Sequence, residues 1–428
     1  MKNAYDILKE RGFIEQVTDE ALIEDLFAHG PVTCYIGFDP TATSLHIGSL
    51  VPIMALAHMQ KNGNQPIALV GGGTGLIGDP SGKTEMRQVL TREQIDYNAQ
   101  CLGKQLSRYI DFVDGKALLL NNADWLTKIN YIEFLRDIGR HFSVNRMLAA
   151  ESYKIRLEKG LNFIEFNYML LQAYDFLHLF RNFNCALQMG GNDQWGNMLA
   201  GTELIRKVAG KDAHAVTFPL ITTSLGHKMG KTEKGTIWLD GSLTPPYEYY
   251  QYWVNSDDAD LERFLKLFTF LPLSEIAGVQ NLADAKLNMA KAVLAFEATK
   301  VTHGAEAAEA AWRASMEAFH SRPVNADLFP SSTIPRQAPQ SDTSAIPRYS
   351  ISREDLTAGI LICSACAKAG LTQSLSEARR LIKQGGIYIN DRQVKSVDEK
   401  LMAADFSGGN ELRIRKGKKK YLIIEIMN

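Results

Sequence analysis

The side chains best equipped for chemistry fall in four short clusters. Tyr35-Ile36-Gly37-Phe38-Asp39-Pro40-Thr41-Ala42-Thr43-Ser44-Leu45-His46-Ile47-Gly48-Ser49 sets a phenol, a carboxylate, hydroxyls and an imidazole along one turn. Gly78-Asp79-Pro80-Ser81-Gly82-Lys83-Thr84 adds a second carboxylate and a cation, with Arg87 just beyond. Tyr168, Gln172 and Asp175 follow at i, i+4 and i+7, so on a helix their side chains share one face. Gly226-His227-Lys228-Met229-Gly230-Lys231-Thr232 carries two lysines three apart on a glycine-bounded loop. No nucleophilic side chain is apparent. Hydroxyls, carboxylates and cations without one suit positioning and charge stabilisation better than covalent catalysis.

Each cluster has a plain reading beside the functional one. The first begins as a strand end, since Val32–Ile36 is β-branched and apolar. Asp39-Pro40-Thr41 turns the chain, and Ser44 is expected to N-cap a helix carrying Leu45, His46 and Gly48 in its first turns. A strand, a polar turn and a helix N-terminus offer an anion site to which His46 could add a hydrogen bond. The alternative is an ordinary βα unit with a surface histidine. Gly78–Thr84 looks like a Walker A loop and is not one, because Ile77 stands where the motif needs glycine. Gly230-Lys231-Thr232 fails for the same reason at Leu225. The stripe Tyr168, Gln172, Asp175 lies on a helix that is otherwise apolar; it either meets an internal polar network or lines a pocket for a polar ligand. The two loop lysines are either solvated or close on phosphates.

The elements that must hold these clusters read as alternating strands and helices. Gln65–Val70 is a buried parallel strand ending in Gly71-Gly72-Gly73, glycines that would let backbone approach a ligand. Asn184–Gly191 is another, with Asn192 or Asp193 capping the helix that carries Trp195 through Lys207, and Ala215–Thr222 is one more. An acidic residue at such a strand end is a familiar holder of ribose hydroxyls. Residues 91–165 read as amphipathic helices with short apolar patches at Ala117–Leu120 and Tyr131–Leu135, giving scaffold and subunit contacts. Helices follow from Pro245-Pro246 to about Phe319, then a linker over Ser321–Pro347 with five prolines. In the last segment Ser374 and Glu377 form a capping-box pair, Ile387–Asn390 is a strand, and Leu412–Arg415 pairs with Tyr421–Ile426 around Lys416–Lys420.

Length and charge bound the rest. A chain of 428 residues, 45% hydrophobic, exceeds one typical domain. No run near eighteen apolar residues occurs, so neither a membrane span nor a signal peptide is expected. The five cysteines, Cys34, Cys101, Cys185, Cys363 and Cys366, suggest reduced thiols in a cytoplasmic protein. Cys363 and Cys366 have ligand-like spacing but lack a second pair, so they read as buried helical thiols, with no protein-bound metal expected. Net charge is −1, yet residues 350–428 hold fourteen Lys/Arg against nine Asp/Glu, leaving −6 on the remainder. An acidic body with a basic tail suits a polyanionic partner.

Taken in order, Gly-Phe-Asp-Pro-Thr, Leu-Ile-Gly-Asp-Pro-Ser-Gly-Lys, Gln-Ala-Tyr-Asp, Gly-Gly-Asn-Asp-Gln-Trp-Gly-Asn and Lys-Met-Gly-Lys-Thr resemble the bacterial-type tyrosyl-tRNA synthetases, a family of class I aminoacyl-tRNA synthetases. The resemblance spans nearly the whole chain. It implies an α/β fold: a Rossmann-like parallel-sheet nucleotide-binding domain at 1–244 with a helical insertion at about 120–165. An α-helical anticodon-side domain at 245–320, a linker at 321–349 and a small α+β RNA-binding domain of ribosomal-protein type at 350–428 would complete it. The implied activity joins L-tyrosine to tRNA(Tyr) through tyrosyl-adenylate, with ATP as substrate, Mg²⁺ accompanying it, and a homodimer as the assembly.

The roles implied are specific. Tyr35 and Asp175 would hydrogen-bond the phenol; Asp79, Tyr168 and Gln172 would hold the ammonium; Gln194 would lie by the carboxylate and Gln188 would support the pocket. Asp193 would bind the ribose, while Thr41 and His46, with Asp39 beside them, would meet the phosphates. Gly37, Gly48, Ser49, Gly190 and Met229 would complete the ATP site. Lys83, Arg87, Lys228 and Lys231 match mobile cations around pyrophosphate. Arg379, Arg380, Lys383, Lys418 and Lys419 would contact RNA. Ser49 departs from the family, replacing the second signature histidine with a shorter hydrogen-bonder. That departure prompts the alternative of a non-catalytic RNA-binding relative, and a tryptophan enzyme of related fold is countered by Tyr35 with Asp175.

Overall fold

Five parallel strands and one short antiparallel strand build the central sheet of the first of two compact units, residues 1–231, 236–244 and 259–280. The structure, a computed structural model, describes residues 2–427 apart from 82–89, 150–152, 155–156, 158–159, 225, 227–228, 230, 233–234, 320–321, 338–345, 407–408 and 418–419. The strands are β1 (Gln16–Val17), β2 (Thr33–Phe38), β3 (Gln65–Val70), β4 (Leu118–Asn121), β5 (Leu187–Gly191) and β6 (His214–Phe218), in the spatial order β1-β6-β5-β2-β3-β4. From β2 the chain winds outward through β3 to β4, and from β5 it winds the other way to β6. The strand order therefore reverses between β2 and β5, which is where open parallel sheets bind ligands beyond the carboxyl ends of their strands. Tyr35 and Gln188 are register partners across that junction.

Three helices matter for the site. Helix α1 (Leu50–Lys61) is apolar nearly all round and buried from Leu50 to Met59 except at Pro52, as expected of a helix under a sheet. Helix α2 (Tyr168–Phe183) buries Leu170, Ala173, Phe176 and Leu177 in the core that also holds Tyr35 and Ile67, so its polar stripe is held against the sheet. It ends at Asn184, whose left-handed backbone (φ 51°) turns the chain into β5. Helix α3 (Trp195–Ala209) is entered through a 3₁₀ turn, Asn192–Gln194.

Several expectations are revised. Ser44 does not cap a helix: its hydroxyl donates to the Leu45 carbonyl (2.7 Å) and accepts from the Asp240 amide (3.2 Å). Residues 45–47 stay extended because their backbone pairs with 237–239, and helical turns start only at Ile47. Neither Asn192 nor Asp193 caps α3 with its side chain, since the 3₁₀ turn already leads the backbone into the helix. The patch around Leu118–Leu120 is no part of a helix but edge strand β4, hydrogen-bonded in parallel to β3. A run of four gives too little periodicity to tell strand from helix, and pairing to β3 decided the matter.

The second unit comprises residues 232–235, 245–258 and 281–428. Pro246–Val254 begins with proline in its first turn and packs with Asp284–His303 and Ala305–Phe319. Much of the proline-rich stretch is packed as well: Val324, Phe329 and Ile334 are buried, and Glu297 accepts from the Ser332 hydroxyl (2.7 Å) and the Thr333 amide (3.0 Å). The tail is a five-stranded sheet in the order 392–393, 387–389, 411–416, 420–427, 348–352, with a core of Ile362, Cys363, Cys366, Ile382, Ile389 and Ile414. Ser374 caps Leu375–Lys383 by accepting from the Glu377 amide (3.2 Å), while the Glu377 carboxylate accepts from the Gln373 amide one residue earlier than a standard box (2.6 Å). Tyr247, Ala314, Ala318, Ile346 and Ile423 form one apolar cluster, flanked by Phe319 on Tyr421 and by Arg413 with Glu317.

One buried cation ties the first unit together. Arg11 donates to the carbonyls of Lys266 (2.8 Å), Thr269 (3.0 Å) and Leu271 (2.6 Å), which end the helix Leu261–Phe268. Replacing Arg11 by methionine strands those carbonyls, and should lower stability by roughly 1–3 kcal/mol in chemical unfolding. Lysine should rescue little, because one ammonium cannot reproduce the fork.

Candidate active site

A cleft of about 400 Å³ opens at the β2/β5 junction. Its closed end is made by Tyr35, Asp175 and Gln188, its middle by Asp39, Asp79, Tyr168, Gln172 and Gln194, and its open end by Thr41, His46, Ser49, Asp193 and Trp238.

Two buried polar atoms at the closed end have no protein partner: the Tyr35 hydroxyl and the Gln188 Oε1. Burial with Asp175 nearby holds the Tyr35 phenol far above its ordinary value, so it is a neutral donor and acceptor. Asp175, fully buried, accepts from the Trp125 indole N–H (2.7 Å) and the Asn122 amide (2.8 Å). The indole is itself stacked on His178 at 4.2 Å and 13°. Two donors keep the carboxylate oriented, yet burial still pushes its pKa up to about 7.

In the middle of the cleft Asp79 accepts from the Gln194 amide (2.7 Å) and the Ser81 backbone amide (2.9 Å). Burial raises it to about 6 despite those donors. Tyr168 donates its proton to Asp39 (2.9 Å), which leaves its phenolic oxygen able to accept from a cation. The Asn197 amide donates to Gln172 Oε1 (3.0 Å) and Gln194 Oε1 (3.1 Å), fixing both glutamines. Asp39 also accepts from the Thr74 hydroxyl (2.8 Å), and Thr74 in turn accepts from the Asn122 amide (3.0 Å). A continuous chain of hydrogen bonds thus runs from Tyr168 through Asp39, Thr74 and Asn122 to Asp175. Gly71 exists for this chain: a Cβ there would stand 2.0 Å from Asp39 Oδ1 and 2.4 Å from the Thr74 hydroxyl. Gly71 and Gly72 thus make room for Asp39 and Asn121, and Gly71 also lines the cleft.

At the open end the His46 Nδ1 accepts from the Gly48 amide (3.0 Å), so in the neutral ring the proton sits on Nε2 as a donor. Gly48 is needed there, because a Cβ would come within 2.8 Å of the imidazole. Thr41, His46, Gly48 and Asp193 are exposed, whereas the groups at the closed end are buried. Gly37 and Gly190 belong to β2 and β5 beside it, and Met229 is buried. Lys83, Arg87, Lys228, Lys418 and Lys419 lie outside the described residues; for Lys231 the backbone is described and not the side chain. Arg379, Arg380 and Lys383 are exposed on one helix of the tail, far along the chain from the cleft.

The structure thus brings together every described residue expected around the amino acid, and adds Asn122, Trp125 and Asn197. A polar pair, Asn121-Asn122, directly after an apolar run is the usual signature of a strand end in a parallel sheet, but recognising it required β4 to be read as a strand. Asn197, three residues after Gln194 in the first turn of α3, was within reach of the helical period.

A cleft at the strand-order reversal, with buried carboxylates for a cation and orphaned hydroxyl and amide groups at its end, is what an enzyme activating a polar amino acid needs. The sequence model of tRNA synthetases class I (W and Y) matches residues 28–320, and that of the tyrosine–tRNA ligase SYY-like C-terminal domain matches 340–424. The chain belongs to the class I tRNA synthetases of the tryptophan and tyrosine type. Within that class its relatives are tyrosine–tRNA ligases: it is 63% identical over 426 residues to the one from Syntrophus aciditrophicus, covering 100% of this chain and 99% of that protein. It is 57% identical to that from Desulfosudis oleivorans, over 98% of each chain. Among solved structures, a C-terminally truncated mitochondrial tyrosyl-tRNA synthetase from Aspergillus nidulans matches with a TM-score of 0.68 at 32% identity, over 74% of this chain and 95% of that one. The activity is tyrosine–tRNA ligation in two steps, activation of tyrosine with ATP and transfer of the tyrosyl group to tRNA.

Two outcomes follow from the held carboxylates. Asn122→Ala removes one donor from Asp175 and the bridge to Thr74, and should cost about 1–3 kcal/mol, roughly ten- to hundredfold in kcat/KM for tyrosine. Trp125→Phe keeps the stack on His178 and loses only the indole donor, so steady-state kinetics of both variants should show losses in the same parameter. The second outcome concerns pH. Asp175 near 7 and Asp79 near 6 protonate on acidification, and a neutral carboxyl neither pairs with an ammonium nor accepts a phenol proton as well. The folded-state values lie above the ordinary aspartate value, so the empty protein loses stability as pH rises through them, while bound ligand favours the charged forms. Tyrosine affinity should therefore weaken as pH falls below about 7 and further below about 6. Equilibrium dialysis across that range checks this; a flat profile would mean both carboxylates stay charged.

Proposed function

We propose that tyrosine lies with its phenol between Tyr35 and Asp175, its ammonium on Asp79, Tyr168 and Gln172, and its carboxylate beside Gln194. The observation that carries this is the orphaned Tyr35 hydroxyl, buried beside an anchored carboxylate at the closed end of the cleft. A phenol satisfies both: it donates to Asp175 and accepts from Tyr35. Gln188, with its own unpaired Oε1, supports the pocket wall.

ATP takes the open end. Thr41 and His46 meet the phosphates, Asp193 and Ser49 face the ribose, and the backbone at Gly37, Gly48, Gly190 and Met229 lets the nucleotide lie close. The tyrosine carboxylate oxygen attacks the α-phosphorus, the bond to the β-phosphate oxygen breaks, and pyrophosphate leaves with that electron pair. Lys83, Arg87, Lys228 and Lys231 act as cations around the leaving group, stabilising charge that develops there. Mg²⁺ travels with the phosphates, held by them and by water; among the described residues no group of three His, Cys, Asp or Glu could hold a metal ion. Ser49 hydrogen-bonds at shorter reach than histidine, a tolerated variation.

The 2′- or 3′-hydroxyl of the tRNA terminus then attacks the tyrosyl carbonyl and AMP leaves. A second cavity of about 1030 Å³ shares Gly48, Asp79, Gly191 and Asp193 with the cleft and bears Arg146 and Lys207, which supports an entry for the tRNA end. In this reading residues 1–244 form the catalytic domain, 245–320 the anticodon-side domain and 350–428 the RNA-binding module, which uses Arg379, Arg380, Lys383, Lys418 and Lys419. The protein acts in the cytoplasm, consistent with five free cysteines. It acts as a homodimer, supported by apolar residues exposed between 131 and 164: Tyr131 (58%), Ile132 (69%), Val144 (57%) and Phe163 (70%).

Asp175 is the decisive residue. Phenylalanine fits the same volume but leaves buried polar groups unpaired, at about 1–3 kcal/mol each and more if charged. Asp175→Ala should lose most tyrosine-dependent ATP–pyrophosphate exchange without gaining comparable exchange with phenylalanine. Unchanged selectivity for tyrosine over phenylalanine would place the phenol elsewhere.

A further inference from the structure

The turn from Asp39 to Leu45 belongs to neither a helix nor a strand, so no regular ladder satisfies its backbone. Side chains of the helix Arg92–Leu106 do so instead. The Asn98 amide donates to the Pro40 carbonyl (3.0 Å) at the start of the turn. At its end the Gln105 Oε1 accepts from the Leu45 amide (2.9 Å) and lies 3.4 Å from the Ser44 hydroxyl. The Gln105 amide nitrogen in turn donates to the Thr43 carbonyl (3.4 Å). One helix thus grips both ends of the turn.

Its sequence is shaped for that task. Ile95, Asn98, Leu102 and Gln105 are all buried and recur at helical spacing, so they form the face turned inward. Two of those four core positions carry amides, which are costly to bury unless hydrogen-bonded. Asn98 is 7% and Gln105 4% exposed, and the printed partners of both lie in the turn. Seven residues separate them, close to two helical turns, so the helix acts as a ruler about 10 Å long. The ruler is itself seated on the sheet. A Cβ on Gly103 would stand 3.1 Å from Leu119 of β4, and one on Gly75 would lie between Pro40 of the turn and Ile95 of the helix, at 3.3 and 3.7 Å.

The two residues of this region assigned to phosphate each adjoin an anchor. Thr41 follows Pro40 and His46 follows Leu45, and both are exposed on the cleft. Exposed side chains on an irregular turn can be aimed only as well as the backbone beneath them is held. Here that backbone is held by buried groups that do not themselves line the cleft.

We propose that Asn98 and Gln105 are positioning residues for adenylate formation: they set the span of the signature turn, and so place Thr41 and His46 against the triphosphate. This rests on the assignment of Thr41 and His46 made above. Neither amide touches substrate. Their contribution is a turn already in place when ATP arrives, which matters because small misplacements of a reacting group are costly.

The test is single-turnover activation at saturating tyrosine, with tyrosine affinity as the control for an intact closed end. Gln105→Met, close in volume and without an amide, should slow activation by about tenfold and leave tyrosine affinity unchanged. Asn98→Leu, at the other anchor, should slow the same step without changing tyrosine affinity. In a protein already carrying Thr41→Ala and His46→Ala, Gln105→Met should cost less than about twofold more, because the groups it positions are gone. Losses that multiply in that background would overturn the proposal, as would Gln105→Met and Asn98→Leu proteins as fast as wild type. Wild-type activation in the Thr41→Ala, His46→Ala protein is a separate failure: it removes both residues from the reaction, and the proposal with them. Tyrosine affinity lost in step with activation would show that the helix supports the whole cleft and not its phosphate end, and would overturn the proposal too.

Discussion

A carboxylate taken out of water must be given donors, and Asp175 sits at the bottom of the cleft under that demand. The Asn122 amide and the Trp125 indole meet it, and both come from the segment that follows edge strand β4. The outermost strand is thus what fixes the innermost charge. Were β4 to shift along β3, Asn122 would leave Asp175, Gly73 and Thr74 together, since its amide bridges all three. The register Leu118 to Ile67 through Asn121 to Val70 is therefore a constraint on specificity as much as on the sheet.

The same logic extends to the other carboxylates. Asp39, Asp79 and Asp175 all face one cavity, and burial first, with the charge of Asp39 adding to it, raises the cost of keeping Asp79 and Asp175 ionised. Protein donors offset part of that cost: Tyr168 and Thr74 for Asp39, Gln194 and Ser81 for Asp79, Asn122 and Trp125 for Asp175. In the proposed pose the ammonium of tyrosine would meet Asp79 and its phenol would meet Asp175. On that proposal, the cost of burying these carboxylates would favour a zwitterion with a phenolic end.

Much of this was legible in the sequence because the motifs lie where strands end. Gly-Phe-Asp-Pro-Thr begins on the last two residues of β2, Gly-Gly-Asn-Asp-Gln on the last two of β5, and the spacing of Tyr168, Gln172 and Asp175 made one helical face certain to line something polar. The two alternatives for that stripe are not exclusive: Tyr168 joins an internal network through Asp39 and also borders the cleft. Asn122 and Trp125 were missed since neither contributes to a period or a short motif of recognisable chemistry, and Asn197, though it closes the Gly-Gly-Asn-Asp-Gln-Trp-Gly-Asn motif, acts only by holding Gln172 and Gln194. The helix start at Ser44 misled for a tertiary reason. Local sequence favours a cap there, but residues 237–240 compete for the same backbone and hydroxyl, and long-range pairing won.

The cleft is built unevenly, and the unevenness suits the reaction. At its closed end the polar groups are buried and, apart from the Tyr35 hydroxyl and Gln188 Oε1, tied to one another, so the shape is set by the protein alone. At its open end, where ATP is proposed to lie, Thr41, His46 and Asp193 are exposed. Discrimination among amino acids gains from rigidity and desolvation, because an unpaired buried group is costly only where neither water nor motion can relieve it. Acceleration gains from contacts that strengthen as charge moves onto the leaving pyrophosphate, and such contacts need not exist in the ground state. With tyrosine and ATP placed as proposed, one rigid, dry end and one open end would let amino-acid rejection occur at binding and phosphate contacts strengthen at the transition state, and the chain of hydrogen bonds from Asp175 to Asp39 and Tyr168 is what ties the dry end together.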